Sequence, residues 1–129
     1  MTQDSHVATT DAQTLVQSYL DAFAARDLAR CLDFYAEGAE VKFVSGVYAV
    51  RAALEEWHKE RFAADLQILR VDSVSVDRDT VKIDLMLASN RLKFFRINSL
   101  AARATVRLDA GRIREAHFGP RFTDPFEGW

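Results

Sequence analysis

Several features that mark whole classes of protein are scarce or missing in this sequence. Cys31 is the single cysteine among 129 residues, so no internal disulfide can form, and a reducing compartment fits best. No run of about 18 apolar residues is present, which argues against a transmembrane helix. Residues 1–10 lack the basic and apolar regions of a secretory signal. We therefore expect a cytoplasmic protein with no membrane partner.

Excess charge and metal-ligand patterns are also lacking. The net charge of −2 argues against electrostatic binding of nucleic acid. His6, His58 and His117 lack metal-ligand spacing, and no cysteine pair could assist them. No Ser–His–Asp set or glycine-rich phosphate loop can be identified. The sequence thus predicts no metal, no cofactor and no nucleic-acid partner.

The composition is that of one globular domain with an aromatic interior. Hydrophobic residues make up 49% and charged residues 28% of the chain, and nine are phenylalanine,. Polar residues 1–10 are expected to form a flexible segment, and residues 11–121 the domain. Residues 122–129 form an aromatic tail. Its Phe122, Phe126 and Trp129 should dock on the sheet, on a partner subunit or over a pocket mouth, because exposure forfeits about 1.5–3 kcal/mol each.

Apolar spacing predicts three helices in the first half of the chain. Thr10 or Asp11 would cap the first helix, and Asp27 the second, with Gly38 ending the second helix. A short strand is expected at 40–44 and a third helix at 49–63. The apolar stripes comprise Leu15, Val16, Tyr19, Leu20 and Phe23 in the first helix, Leu28, Cys31, Leu32 and Tyr35 in the second, and Leu54, Trp57, His58 and Phe62 in the third,.

The second half of the chain changes to a period of two. Alternation over 71–77, 80–87, 100–108 and 112–118 predicts four half-buried strands,. Breaks are expected at 77–79, near 93–96 and at 109–111, where Asp-Ala-Gly signals a hairpin. Helices followed by an antiparallel meander indicate an α+β fold rather than alternating βαβ units.

Four strings resemble the nuclear transport factor 2-like superfamily, also called SnoaL-like: LDAFAARDLARCLDFY, YAEGAEVKF, VYAVRAALEEW and LDAGRIREAHF. They span about residues 13–120, although Ala49 replaces the glycine that usually opens the third helix. The resemblance implies an α+β barrel shaped like a cone, with three N-terminal helices packed in the concave face of a strongly curved, mostly antiparallel sheet. It also implies a pocket between helices and sheet, and a homodimer formed through the outer sheet face.

Comparison with the steroid isomerases of this superfamily suggests site residues. Their oxyanion-hole tyrosine falls at Tyr19, two further tyrosines at Tyr35 and His58, and a pocket aromatic at Trp57. A buried phenol can donate to a developing oxyanion, and an imidazole can orient it or shuttle a proton. We therefore assign Tyr19 and His58 as candidate catalytic residues.

The carboxylates of that mechanism are missing. The proton-moving carboxylate falls at Phe43, and the second oxyanion donor at Ala104, so steroid isomerisation by that route is not expected. Neither the Arg–Asp pattern of the epoxide hydrolases nor the two histidines of scytalone dehydratase can be assigned. The fold alone cannot supply a chemistry.

An apolar pocket is nevertheless expected, because alternation along the fifth strand turns its small residues inward and leaves volume for a flat organic ligand. The alternative is that each aromatic simply fills the core. The predicted ligand-binding residues are Phe23, Tyr35, Phe43, Leu54, Trp57, Leu100, Ala102, Ala104, Ala116 and Phe118.

Three functions remain open: a binder of a small apolar organic molecule, an isomerase, cyclase or dehydratase using Tyr19 and His58, and a dimeric interaction module without ligand. A closed, filled cone would remove both ligand hypotheses. An open cone with Tyr19 and His58 within hydrogen-bond reach would favour the enzyme. The arginine-rich segment 91–121 is expected to be a solvated or dimer-facing surface, or else a mouth that attracts an anion.

Overall fold

The computed structural model describes residues 2–121, with side chains from residue 11 onward. The helices are α1 (Thr2–Ala24), α2 (Leu28–Asp33), α3 (Arg51–Ala63) and α4 (Asn90–Phe94). The strands are β1 (Tyr35–Phe43), β2 (Gly46–Tyr48), β3 (Gln67–Asp77), β4 (Thr80–Ala88), β5 (Leu100–Asp109) and β6 (Arg112–Pro120).

All six strands form one sheet in the order β2-β1-β6-β5-β4-β3. Every neighbouring pair is antiparallel except β1 and β6, which run parallel. The helices pack on this curved sheet, so the predicted α+β class is confirmed. The turn at Ala110 and Gly111 joins β5 to β6 with φ angles of 51° and 78°, as a two-residue type I′ hairpin requires.

The core lies between α1, α3 and the inner face of the sheet. The predicted stripe of α1 is buried at Val16, Tyr19, Leu20 and Phe23, with Leu15 half-buried. Alternate residues of β4 and β5 complete the core, because successive side chains of a strand point to opposite faces, and β6 adds two residues, one on either side of its register shift against β5. These strand residues are Val81, Ile83, Leu85, Ala102, Ala104, Val106, Ile113 and Ala116.

The structure corrects the predicted second helix and first strand. The helix ends at Asp33, and Tyr35 opens β1 instead of closing the helical stripe. The Phe34 carbonyl accepts from the Ile113 backbone N–H at 2.7 Å, which draws the chain into the sheet beside β6. Gly38 does not end the helix; it lies where β1 shifts register against β6, and its φ of 77° suits glycine.

Helix boundaries also differ elsewhere. Helix α1 begins at Thr2 rather than after a cap at Thr10 or Asp11, and α3 begins at Arg51 rather than at 49. The break expected near 93–96 overlaps the short helix α4, which begins at Asn90 and which Ser89 caps by accepting from the Leu92 backbone N–H at 3.2 Å,. The domain boundaries at residues 10 and 122 stay predictions, and the docking of the tail concerns residues outside the described range.

Candidate functional site

A cavity of about 230 Å³ opens between α1, α3 and the sheet. Most of its lining is apolar, and its aromatic walls come from four different elements of the fold. The aromatic lining residues are Phe23, Phe43, Trp57 and Phe118; the aliphatic and small ones are Leu20, Val44, Ala64, Leu66, Ile68, Leu85, Leu87, Leu92, Leu100, Ala102, Gly119 and Pro120; the polar ones are Tyr19, Arg61, Ser89, Arg91 and Arg103.

Trp57 is the centre of the aromatic wall. Its ring stacks on Phe118 with centroids 5.2 Å apart and planes within 15°. Phe43 meets the same indole edge-on at 5.6 Å, and Phe23 lies 6.1 Å away. Such pairs contribute about 0.5–1.5 kcal/mol beyond area burial, so these contacts stabilise the wall. The Trp57 Nε1–H is buried and has no hydrogen-bond partner among the described residues.

A chain of hydrogen bonds runs behind this wall through three buried side chains. The Tyr35 hydroxyl donates to the Tyr19 oxygen at 2.7 Å, and the Tyr19 oxygen lies 2.7 Å from His58 Nε2. His58 Nδ1 lies 2.7 Å from the Leu54 carbonyl. Since a carbonyl can only accept, Nδ1 carries the ring proton. In the neutral ring Nε2 is then the acceptor, and the Tyr19 hydroxyl donates to it.

The pKa values of these three side chains keep each of them uncharged near neutral pH. Burial lowers the pKa of His58 to about 4, although the bond to the Leu54 carbonyl opposes this change. Burial raises the pKa of Tyr19 well above its usual value of 10, and the neighbouring Tyr35 adds to the effect. Burial also raises the pKa of Tyr35. Transfer of the Tyr19 proton to His58 is therefore strongly unfavourable at neutral pH.

Arg61 is the one cation buried in this region of the described chain. Its side chain is 6% exposed, and it lines the cavity. The guanidinium carbon lies 4.6 Å from the Phe43 ring centroid and 5.7 Å from that of Trp57, so both rings make cation–π contacts. Burial lowers the pKa of Arg61, but an arginine remains charged near neutrality.

The structure brings together seven of the twelve predicted site residues around the cavity: Tyr19, Phe23, Phe43, Trp57, Leu100, Ala102 and Phe118. His58 lies behind Tyr19 and does not line the cavity. Ala104 and Ala116 are fully buried in the core. Tyr35 and Leu54 border a separate groove beside β1 and α3.

Sequence reasoning missed the polar part of the lining. Arg61 follows Leu54, Trp57 and His58 at the next position of the same helical stripe. That spacing places it on the inner face of α3, so the signal was available. Ser89 and Arg91 also line the cavity, and their positions depend on α4, which the sequence pattern did not reveal.

Neither a metal centre nor a membrane span is found in the described part of the chain. Among residues 2–121, no group of three His, Cys, Asp or Glu side chains could hold a metal ion. None of the helices in that range is long and apolar enough to cross a membrane.

Comparisons with known proteins give structural but not sequence matches. No protein-family model and no curated protein matches this chain. The epoxide hydrolase/cyclase-like enzyme SalBIII, of pyran ring formation in salinomycin, superposes with a TM-score of 0.76 at 21% identity, covering 89% of this chain and 94% of SalBIII.

Two further solved structures are similar. A candidate polyketide cyclase from Xanthomonas campestris pv. campestris gives a TM-score of 0.74 at 19% identity, with 86% of this chain and 90% of that one covered. A candidate ketosteroid isomerase from Kribbella flavida gives 0.73 at 16% identity, with 91% and 84% covered. At these identities the likeness shows a shared fold.

Proposed function

We propose that this chain, which has the fold of the nuclear transport factor 2-like superfamily, binds a small, mostly apolar organic molecule in its cavity. The observation that carries the proposal is the open volume of about 230 Å³ behind an aromatic and aliphatic lining. A cavity of about 150 Å³ holds benzene, whereas pockets for drug-sized ligands measure roughly 300–1,000 Å³. A ligand of one or two rings therefore fits the space.

The hydrogen-bond chain favours binding over proton transfer. The Tyr19 proton is directed to His58 Nε2, and the Tyr19 oxygen already accepts from Tyr35. Tyr19 therefore has only a remaining lone pair to offer a ligand, whereas an oxyanion needs a donor. The positions of the isomerase carboxylates hold Phe43 and Ala104, which cannot accept a proton.

Catalysis of the isomerase, cyclase or dehydratase kind is the second candidate. The observation in its favour is the 2.7 Å contact between the Tyr19 hydroxyl and His58 Nε2 in a molecule with an open cavity. A ligand oxygen that displaced the Tyr19–His58 bond could receive the phenol proton. In that case Tyr19→Phe would abolish turnover of an identified substrate, whereas a binder would lose at most a few-fold in affinity.

Titration calorimetry with 2-naphthamide, a neutral two-ring probe, tests the binding proposal. Ala102 lines the cavity, and its neighbour Ala101 points to the other sheet face,. We expect saturable binding at one probe per chain. Ala102→Leu should weaken it about tenfold or more by filling the space, and Ala101→Leu should leave it unchanged.

Two results would contradict binding in this cavity. One is a wild-type protein that binds no one- or two-ring probe. The other is an Ala102→Leu variant that keeps full affinity while circular dichroism shows it folded. An interaction module without ligand, acting through the sheet or the tail, would then be the better interpretation.

The resemblance also supports two finer proposals. We propose a homodimer formed through the outer sheet face, to be tested by light scattering at micromolar concentration, where a monomeric mass would contradict it. We also propose a cytoplasmic location, which the single buried thiol of Cys31 favours because it needs no oxidising environment,.

A further inference from the structure

The charge of Arg61 is incompletely compensated. Its ion-pair partner among the described residues is Glu60, whose Oε2 lies 3.3 Å from one terminal guanidinium nitrogen. The Glu60 side chain is 46% exposed, so water weakens its hold on the buried cation. A guanidinium carries five N–H donors, and this single contact uses only one of them.

Arg61 lines the cavity, and among the described residues its guanidinium hydrogen-bonds to Glu60. Phe43 and Trp57 contact the guanidinium as aromatic rings and accept no conventional hydrogen bond,. Among the residues that line the cavity in the described chain, three are arginines and none is an aspartate or glutamate; one of the three, Arg103, is already paired with Asp84 at 2.8 Å. Arg91, on α4, is close enough for its charge to lower the pKa of Arg61.

We propose that the cavity ligand carries a carboxylate, and that the Arg61 guanidinium binds this group while the aromatic walls hold the apolar body. This inference rests on the proposed binding function and narrows it to small aromatic or alicyclic carboxylic acids. An arginine fork matches a carboxylate with two parallel N–H···O bonds. Arg91 adds positive potential that draws the anion inward.

The arrangement explains why a cation is retained in an apolar cavity. A buried charge without adequate partners is unfavourable, and proteins normally pair it. A bound carboxylate would supply the missing countercharge, and the low-dielectric walls would strengthen the pair. A neutral ligand of the same shape would fill the space without supplying a countercharge to Arg61.

Paired calorimetric titrations of 2-naphthoate and 2-naphthamide test the inference, because the two probes share size and shape but differ in charge. We expect wild-type protein to prefer the carboxylate about tenfold or more. Arg61→Gln should remove this preference, weakening the binding of 2-naphthoate about tenfold more than that of 2-naphthamide. Arg61→Lys should keep part of the preference, because it retains charge but loses the fork.

Arg70→Gln is the matched control, since Arg70 is exposed on β3 and pairs with Asp72 at 2.6 Å; it should change neither affinity. If wild-type protein binds both probes equally, the assignment to Arg61 is wrong while the cavity still binds. If it binds neither, the proposed function itself fails. A folded Arg61→Gln variant that keeps the carboxylate preference also overturns the inference, and should that variant not fold, the wild-type comparison and Arg61→Lys decide.

Discussion

Removing the Tyr19 hydroxyl should destabilise the fold more than any other loss of a single phenol oxygen among the described residues. Tyr19 is 1% exposed, and its hydroxyl donates to His58 Nε2 and accepts from Tyr35, each at 2.7 Å. The Tyr19→Phe variant leaves one buried acceptor and one buried donor without partners. Each orphaned group costs roughly 1–3 kcal/mol, and partial relaxation gives an expected loss of about 2–4 kcal/mol.

Two other tyrosines set the scale for this measurement. Tyr35→Phe removes a donor but leaves the Tyr19–His58 bond intact, so we expect a loss of about 1 kcal/mol. Tyr48→Phe breaks only an exposed 2.6 Å contact with Ser45 and should cost less than about 0.5 kcal/mol. Urea unfolding at pH 7, followed by tryptophan fluorescence, gives all three values.

A double-mutant cycle identifies the orphaned imidazole as the cause. In a His58→Leu background the Nε2 acceptor is gone, so Tyr19→Phe should cost at least 1 kcal/mol less than in the wild-type protein. The hydrogen-bond reasoning is refuted if Tyr19→Phe is no more damaging than Tyr48→Phe. It is also refuted if the two changes at Tyr19 and His58 are additive.

Three further predictions concern titration, reactivity and the outer sheet face. The pKa of His58 is about 4 in the folded protein and 6.5 in the free side chain, so the unfolded chain binds a proton first as the pH falls. The contribution of neutral His58 to stability is therefore full above pH 6.5 and falls by about 3 kcal/mol as the pH drops to 4. Urea unfolding midpoints should decrease over this pH range, and His58→Gln should reduce that decrease. Cys31 is fully buried, and burial raises its pKa to about 12, so a disulfide reagent at pH 8 should modify it only as fast as the protein unfolds; immediate modification would show that the thiol is accessible. Asp84 accepts from Arg103 at 2.8 Å and Arg121 at 3.0 Å, so Asp84→Asn should cost about 1–2 kcal/mol in urea unfolding, and an unchanged midpoint would show that this pairing does not stabilise the sheet.

Local periodicity predicted the parts of the fold whose stability depends on one buried face. The alternation of β4 and β5 and the stripe of α1 are of this kind, because each pattern has a single face that can meet the core. At Tyr35 the same reasoning gave the wrong element, because long-range pairing between strands overrides the local pattern. Its spacing suits a helix, but hydrogen bonding to β6, distant in sequence, places it in a strand.

The candidate site likewise contains some residues that sequence patterns can predict and others that depend on tertiary packing. Aromatic walls such as Phe43 and Phe118 follow from inward-facing strand positions, so a sequence can suggest them. His58 does not reach the cavity because the Tyr19 side chain lies between them. This depends on tertiary packing, which the sequence pattern does not give. Arg61 was overlooked because charged residues are expected on outer faces, although its helical position pointed inward.

The parallel pairing of β1 with β6 joins an early part of the chain to its last described strand. A ribosome adding about 5–20 residues per second needs roughly 4–15 s to pass from Phe43 to Pro120. Throughout that interval β1 can pair only with the three-residue β2, and the helices have no complete sheet to cover. Such non-local closure slows folding, so the nascent chain exposes its aromatic interior until β6 has been synthesised, and chaperones have that time to engage it.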